Sequence, residues 1–219
     1  MHKLPKILII NPNSDTETCK KLEKTVKNFC NGLCQADVVR LKTAPVLVAS
    51  YEDRIVAVDE LMQVIRKGET HYDAFVLACH ADPNLDLARE ITSKPVVGIA
   101  EASMKLAASL GSGFAVISPS LTTQTRKYAL AHKYHLDEFI KGVVVPKSGS
   151  VNDLYLAAKK ASKIPCVGAI VLGCANYTGA DKYIEKRLNI PVIDGVVCAI
   201  FLAIGLSHYQ RYKNEKKEG

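Results

Sequence analysis

The sequence contains no tryptophan and no apolar run long enough to cross a bilayer. The stretch from Gly195 to Leu206 is strongly apolar, but it falls well below the ~20 residues that a membrane-spanning helix needs. The apolar run Ile7–Ile10 is too short for the core of a signal peptide and suits a first strand instead. We therefore expect a cytoplasmic protein with no membrane partner.

Motifs that bind phosphate or metal are missing as well. The chain has no GxGxxG, Walker loop, HExxH or GxSxG pattern. Cys30 and Cys34 are close in sequence, but no second Cys/His pair accompanies them to complete a zinc site. We expect no cofactor and no metal.

Positive charge exceeds negative charge without indicating a nucleic-acid partner. There are 29 Lys and Arg residues against 22 Asp and Glu, a formal net charge of +7. The excess lies in the tail Arg211–Gly219 and around Lys159, Lys160 and Lys163, without the interleaved aromatic side chains that stack on bases. A solvated face and a charged tail explain this distribution. The expected partner is a small-molecule substrate.

The cysteines are too scattered for a disulfide scaffold. Their number, seven, is odd, so they cannot all pair within one chain, and they stand at positions 19, 30, 34, 79, 166, 174 and 198. Reduced thiols are expected. The 219 residues, 48% of them hydrophobic, suffice for one large domain or two small lobes with a real core.

Short β-branched runs alternate with helical patterns, which predicts βαβ crossovers and a parallel sheet in an α/β fold. Ser14 and Glu17 predict a capping box for a helix that ends near Gly32. A second helix, closed at Gly68, is predicted to have an apolar face formed by Ile55, Val58, Met62 and Ile65. The predicted strands are Ile7–Ile10, Asp37–Leu41, Ala74–Cys79, Pro95–Ile99, Phe114–Ile117, Val143–Val145, Ala169–Cys174 and Val192–Ile193.

The chain also repeats itself. The segment Lys6–Ser14 is echoed by Gly113–Ser120, and Tyr72–Cys79 is echoed by Val167–Cys174. After each of the two cysteines comes a helical segment and then a strand opened by proline. We predict two similar, pseudo-symmetric lobes. The first covers residues 1–100, with a C-terminal helix 195–219 returning to it, and the second covers residues 101–194.

The repeat gives two cysteines equivalent positions. Cys79 and Cys174 each stand at the carboxyl end of a predicted strand, where parallel α/β sheets bind ligands. If the lobes are related by a pseudo-two-fold axis, the two thiols face each other across a cleft. Such a pair suits two-base racemisation, in which one thiolate removes a proton and the other thiol returns one. The following helix N-terminus would favour the thiolate.

The other cysteines and His80 have simpler explanations. A single cysteine at a strand end is usually a packing residue, and we assign packing to Cys19, Cys30, Cys34, Cys166 and Cys198. His80 follows Cys79 and raises the possibility of Cys–His nucleophilic catalysis. Adjacent strand residues point to opposite faces, so a supporting role or a substrate contact is expected for His80 instead.

Two polar loops follow the first strand of each lobe. They are Asn11-Pro12-Asn13-Ser14 and Ser118-Pro119-Ser120, and each precedes a helix whose unpaired N–H groups would attract a carboxylate, carbonyl or imide oxygen. The alternative is that both loops are ordinary turns and helix caps.

These segments resemble the cofactor-independent aspartate/glutamate/hydantoin racemase superfamily, and most closely its hydantoin and allantoin racemase branch. The similarity lies in Ile9–Ser14, Cys79–Leu85, Pro95–Ser103 and Leu172–Ala175, and it extends over nearly the whole chain. It implies two flavodoxin-like lobes with Cys79 and Cys174 as acid/base catalysts in a cleft. It also implies substrate contacts from Asn13, from Ser118, Pro119 and Ser120, and from the residues just after each cysteine: His80, Ala81, Ala175 and Asn176.

The chain departs from the family pattern at two places. Amino-acid racemases of the superfamily follow the first cysteine with Asn-Thr, whereas this chain has His80-Ala81, which argues against free aspartate or glutamate as substrate. After the second cysteine comes Ala175-Asn176-Tyr177, where the hydantoin branch has Ala-Gly-Met, so the ring substituent stays open.

The sequence therefore predicts a cofactor-independent racemase of 5-substituted hydantoins or allantoin, assembled as a homo-oligomer. The acidic ring C–H of a hydantoin lies between a carbonyl and an amide nitrogen, and thiols can remove it without a metal. Two alternatives stay open. One is an amino-acid racemase, or a related isomerase or decarboxylase, on the same fold. The other is a non-catalytic α/β protein that binds a small metabolite.

Overall fold

A computed structural model describes residues 3–111 and 113–216. The chain forms two compact units, Met1–Gly98 with Ala199–Gly219, and Ile99–Cys198. Each unit contains one four-stranded sheet in which all neighbouring strands are parallel. The predicted α/β class with two repeated parallel sheets is confirmed.

The first unit has the strand order β2-β1-β3-β4. Its central strands, β1 and β3, are buried on both faces, as expected for a parallel sheet covered by helices. Phe75 and Leu77 of β3 are fully buried in the core with Leu61 and Ile65. The elements are β1 Lys6–Asn11, α1 Thr16–Phe29, β2 Gln35–Arg40, α2 Tyr51–Val56, α3 Val58–Gly68, β3 Ala74–Leu77, α4 Leu85–Glu90 and β4 Val96–Gly98.

The second unit has the equivalent order β6-β5-β7-β8. The shared order shows that the sequence repeat is a repeat of topology. Its core contains Ile117, Leu154, Ile170 and Ile184, all buried. The elements are α5 Ile99–Ser109, β5 Gly113–Ile117, α6 Leu121–Lys133, β6 Ile140–Val144, α7 Val151–Ala161, β7 Val167–Leu172, α8 Asp181–Leu188 and β8 Val192–Asp194.

The last helix, α9 Gly195–Glu215, begins in the second unit and continues in the first from Ala199 onward. Within the first unit, the Phe201 ring packs edge-on against Phe29, with 4.6 Å between the ring centroids. The Arg211 guanidinium donates to the Asp73 carboxylate at 2.9 Å. Along the described residues, no helix is both long and apolar enough to span a membrane.

Two local predictions are wrong. The cap of α1 is Asp15 rather than Ser14, because the Asp15 carboxylate accepts the backbone N–H groups of Glu17 and Thr18. The predicted apolar helix is two helices, α2 and α3, with a break at Ala57. Ile55 is 72% exposed because it belongs to α2, so it does not continue the buried face that Leu61 and Ile65 form in α3.

Asp73 links the start of β1 to α9, which yields a stability prediction. Its carboxylate accepts the Lys6 backbone N–H at 2.8 Å as well as Arg211. Burial opposes ionisation, but these hydrogen bonds and the Arg211 charge together hold the pKa of Asp73 below its usual value. Asp73→Asn should therefore lower the free energy of unfolding by about 1 kcal/mol at pH 7.

The pH dependence of this difference has a definite sign. A carboxyl with a lowered folded-state pKa stabilises the protein above its unfolded pKa of ~3.9, and this contribution is lost as pH falls through the folded pKa. Urea unfolding between pH 7 and pH 3 should show the two proteins converging in acid. Glu138→Gln, which neutralises an exposed carboxylate, should give no such difference. A gap between wild type and Asp73→Asn that persists in acid would contradict this account.

Candidate active site

Cys79 lies in a turn just beyond the carboxyl end of β3. That strand ends at Leu77, two residues earlier than its predicted end. The Ala78 N–H donates to the Ile10 carbonyl at 2.8 Å, which continues the pairing of β3 with β1 for one more residue. Cys79 follows directly and is partly exposed. The Asp82 N–H then donates to the Cys79 carbonyl at 3.0 Å and closes the turn.

The residues after Cys79 are held by a buried carboxylate. Asp82 is 4% exposed, and a Cβ atom on Gly98 at the end of β4 would overlap its carboxyl group. Asp82 and Asn84 have positive φ angles of 42° and 58°, a region that Asp and Asn tolerate better than most residues. The Asn84 side chain donates to the Arg54 carbonyl at 2.8 Å, which ties this turn to α2. Close packing therefore fixes the backbone around Cys79.

His80 is 2% exposed, whereas Ala81 beside it is partly exposed. Both residues belong to the turn, so the alternation of side chains along a strand does not apply to the pair Cys79 and His80. The burial of His80 follows from the turn instead. Its contact with substrate stays a prediction.

The last residue of β1, Asn11, lies beside the candidate site and was not among the predicted substrate contacts. Asn11 is fully buried at the end of β1, and its side-chain nitrogen donates to the Asp15 carbonyl at 3.3 Å. Its buried Oδ1 has no hydrogen-bond partner among residues 3–111 and 113–216. The Asn13 Oδ1 accepts the Asp15 N–H at 3.0 Å, so that oxygen shapes the start of α1. An asparagine closing an otherwise apolar strand was the available signal for Asn11.

Cys174 occupies the corresponding place in the second unit. β7 ends at Leu172, and the Gly173 N–H donates to the Ile117 carbonyl at 2.9 Å, as Ala78 does to Ile10. Cys174 is partly exposed and begins a single 3₁₀ turn, Ala175–Tyr177. A Cβ atom on Gly173 would lie 2.6 Å from the Ile117 carbonyl oxygen, so only glycine fits before this cysteine.

Asp194 holds the residues after the 3₁₀ turn. Its buried carboxylate accepts the Thr178 hydroxyl at 2.7 Å and the Gly179 N–H at 2.8 Å, and it also accepts the Val196 N–H. The first unit also has an acid and a glycine at these two places, in exchanged positions. There the carboxylate is on the turn and the glycine ends the strand, whereas here the carboxylate ends the strand and the glycine is on the turn.

Several groups set the electrostatics near Cys174. Tyr177 is buried, and its pKa is raised by that burial and, to a smaller extent, by the charge of Cys174. Burial and the Asp194 charge raise the pKa of Asp181. The Lys127 ammonium donates to the Gly173 carbonyl at 2.9 Å, and this buried lysine was not predicted as a site residue. A lysine on the apolar side of α6, next to Ala131 one turn later, was the signal for it.

The loop after β5 acts as a helix cap. Ser120 precedes α6 in a capping box with Thr123, and the Ser118 hydroxyl lies 2.8 Å from the Thr123 hydroxyl. Ser118 is buried and Pro119 is exposed. These hydrogen bonds match the capping alternative; substrate contacts from Ser118, Pro119 and Ser120 stay predictions. So do contacts from Asn13, from the buried Ala175 and from the partly exposed Asn176.

Cys79 and Cys174 differ from the other five cysteines in their solvent exposure. All seven cysteines are outside disulfides, and Cys79 and Cys174 are the two with intermediate exposure. Cys19, Cys30, Cys34 and Cys198 are buried, as packing residues should be, and burial with the Asp194 charge raises the pKa of Cys198 to about 12. Cys166 is exposed, so its assignment to packing is wrong. Over the described part of the chain, no group of three or more His, Cys, Asp or Glu side chains could hold a metal.

Comparison with known proteins gives these turns a family context. The family described as Asp/Glu/hydantoin racemase matches residues 7–203. The chain belongs to this family. It is 34% identical over 209 residues to the hydantoin racemase of Pseudomonas sp. strain NS671, covering 90% of this chain and 84% of that one. The hydantoin racemase of Paenarthrobacter aurescens is 26% identical over 213 residues, with 92% and 90% covered.

Comparison with a solved structure supports the fold. The allantoin racemase from Klebsiella pneumoniae superposes with a TM-score of 0.86 at 24% identity, covering 94% of this chain and 89% of that one. The racemase names of the family and of these relatives confirm the prediction of an enzyme. The protein is an isomerase, a racemase.

Replacing Asp194 and, as a matched control, Asp181 tests whether the Asp194 carboxylate stabilises the residues after Cys174. Asp194→Asn should lower the free energy of unfolding by about 2 kcal/mol, because an amide cannot replace the charged acceptor of three hydrogen bonds. Asp181→Asn should leave that free energy the same or raise it, since it relieves repulsion from Asp194. Urea unfolding at pH 7 measures both. Equal losses in the two variants would show that the carboxylate of Asp194 has no special role.

Proposed function

We propose that this racemase acts on 5-substituted hydantoins or allantoin, without a cofactor, through proton transfer by Cys79 and Cys174. One observation carries the proposal. In both four-stranded units, a partly exposed thiol stands two residues beyond the end of the third strand of the unit, β3 or β7. In each case the preceding residue is fixed by a hydrogen bond to the strand alongside, from Ala78 to Ile10 or from Gly173 to Ile117.

The proposed reaction needs two groups in opposite protonation states. A thiolate removes the proton from the ring carbon that carries the substituent, and the electron pair delocalises onto the adjacent carbonyl oxygen as an enolate. The other thiol then delivers its proton to the opposite face of that carbon. The product is the mirror-image configuration, and the two cysteines have exchanged protonation states. Proton exchange with solvent then returns the two thiols to their starting protonation states, so no external acid, base or oxidant is consumed.

The side chains next to the thiols support a ring substrate over a free amino acid. An amino acid carries both a carboxylate and an ammonium, and a site for it needs polar side chains for each. This chain has Ala81 and Ala175 near the two thiols. Backbone N–H groups at the start of helical turns are suited to neutral ring carbonyls. The names of the hydantoin and allantoin racemases that resemble the chain agree with this choice.

The proposal also covers the compartment, the oligomeric state and the partners of the protein. We propose a cytoplasmic homo-oligomer with no nucleic-acid partner. The support for the cytoplasmic location is the set of seven cysteines outside disulfides, which is typical of a reducing compartment.

Serine replacements test the two-thiol mechanism. Cys79→Ser and Cys174→Ser should each lower racemisation at least a hundredfold, because a serine hydroxyl is too weak an acid to give or take this proton at neutral pH. Polarimetry on a single hydantoin enantiomer measures racemisation, and mass spectrometry in heavy water measures exchange at the ring carbon. Each variant should retain exchange for one enantiomer only.

Cys166→Ser is the matched control. Cys166 immediately precedes β7, at the opposite end of the strand from Cys174, and it is exposed, so its replacement should leave the racemisation rate unchanged. A chelator should also leave that rate unchanged. Full racemase activity in either Cys79→Ser or Cys174→Ser would refute the mechanism.

Substrate preference tests the second half of the proposal. We expect kcat/KM for a 5-substituted hydantoin or for allantoin to exceed that for aspartate or glutamate at least tenfold, about 1.4 kcal/mol in transition-state binding. Both enantiomers of each compound should be assayed on the purified protein. The reverse preference would assign the chain to amino-acid racemisation and leave the two thiols in their roles.

A further inference from the structure

The second unit buries a lysine that neither its core nor the proposed proton transfer requires. Lys127 is 4% exposed on the inner face of α6, with Ala131 one turn further along. Lysine is almost never fully buried unless its ammonium has a partner, because desolvating the charge is costly. The Lys127 Nζ donates to the Gly173 carbonyl at 2.9 Å. The groups next to the Lys127 ammonium should therefore explain why this charge is buried.

One partner of the Lys127 ammonium is the peptide group that leads into Cys174. The carbonyl of Gly173 and the nitrogen of Cys174 belong to the same peptide unit, so the ammonium lies one peptide away from the candidate acid/base residue. The Gly173 N–H is held by the Ile117 carbonyl, and the strand alongside leaves no room for a Cβ atom. Gly173 is thus fixed through both of its backbone polar groups.

The repeat shows that the fold itself does not demand this lysine. Lys127 is the seventh residue after Ser120, the cap of α6, and the seventh residue after Asp15, the cap of α1, is Leu22. Leu22 is fully buried, as expected for an apolar side chain. The same topology thus buries a leucine in the first unit where it buries a lysine in the second. The burial of a lysine at this position is specific to the side of the repeat that contains Cys174.

The other titratable groups around the Cys174 turn do not favour a thiolate. Asp194 on β8 and Asp181 on α8 contribute carboxylates. Tyr177 on the turn and Cys198 on α9 have raised pKa values and stay protonated at neutral pH. A positive charge from α6 opposes the effect of these carboxylates. A nearby lysine is one of the features that lower the pKa of a cysteine in proteins.

We infer that Lys127 is a positioning residue that fixes the Gly173–Cys174 peptide and whose charge favours the thiolate of Cys174, making Cys174 the resting proton acceptor. The claim that Cys174 is the resting proton acceptor rests on the proposed function. The claim that Lys127 favours the Cys174 thiolate does not, because it concerns the protein without substrate.

The test measures how fast iodoacetamide alkylates Cys174 as a function of pH, resolved from the other cysteines by peptide mass spectrometry. In the wild type, half-maximal reactivity should fall below the ~8.5 of an ordinary cysteine. Lys127→Met should move it upward by about one pH unit or more, a roughly tenfold loss of rate at pH 7. Lys127→Arg keeps the charge and should stay near the wild type. The control Lys20→Met removes an exposed lysine charge from α1 and should change nothing.

The pH dependence of racemisation provides a second measurement of the effect of Lys127 on the Cys174 thiolate. In Lys127→Met, the acid limb of the kcat/KM profile should move in the same direction as the alkylation profile, and Lys127→Arg should restore it. An unchanged alkylation profile in folded Lys127→Met would overturn the inference. If Lys127→Met does not fold, the alkylation profile of the wild type provides the test, because a Cys174 pKa of ~8.5 or higher would equally overturn the inference. Alkylation needs no substrate, so a failure of the racemase proposal would be recognised separately by the serine variants.

Discussion

The constraint on which both candidate sites depend is the pairing of a third strand with the first strand of its unit. In each unit the ladder continues for one residue beyond the strand, through the N–H of Ala78 or of Gly173. The chain must leave the sheet at the next residue, and that residue is a cysteine. This backbone hydrogen bond fixes Ala78 or Gly173, and the cysteine that follows directly is positioned by it. The sheet therefore positions the chemistry through its backbone.

Each unit places a buried carboxylate beside a glycine near the turn after the cysteine, but the contacts differ. In the first unit a Cβ atom on Gly98 would overlap the Asp82 carboxyl group, and in the second the Asp194 carboxylate accepts the Gly179 N–H at 2.8 Å. Because the acid and the glycine exchange places, aligned sequences of the two halves show no shared motif there. Glycine is needed in both halves, but for different reasons. The Asp82 carboxyl group occupies the space that a side chain on Gly98 would need, whereas Gly179 has a φ angle of 83°, which favours glycine.

The sequence repeat was enough to predict the fold class, the strands and the two equivalent cysteines, because strand patterns and strand-ending residues are local signals. Features set by long-range packing were not predictable in this way. Ile55 has the spacing of a buried helical face, yet the break at Ala57 leaves it exposed. Asp15 displaced Ser14 as a cap because a carboxylate reaches two backbone N–H groups. The helical pattern places Lys127 on the same side of α6 as Ala131, but its hydrogen bond to the Gly173 carbonyl depends on the folded sheet and could not be predicted.

The route of α9 has a consequence for how the protein is made. The second unit, Ile99–Cys198, is continuous in sequence, so all of it has left the ribosome before the final helix is complete. The first unit begins at the N-terminus but needs Phe201 and Arg211 to finish its packing, and the contact from Arg211 to Asp73 spans 138 residues. Domains generally fold during synthesis as they emerge. Here the half that is synthesised first is completed last, because Phe29 and the Asp73 carboxylate lack their contacts with Phe201 and Arg211 until α9 has been made.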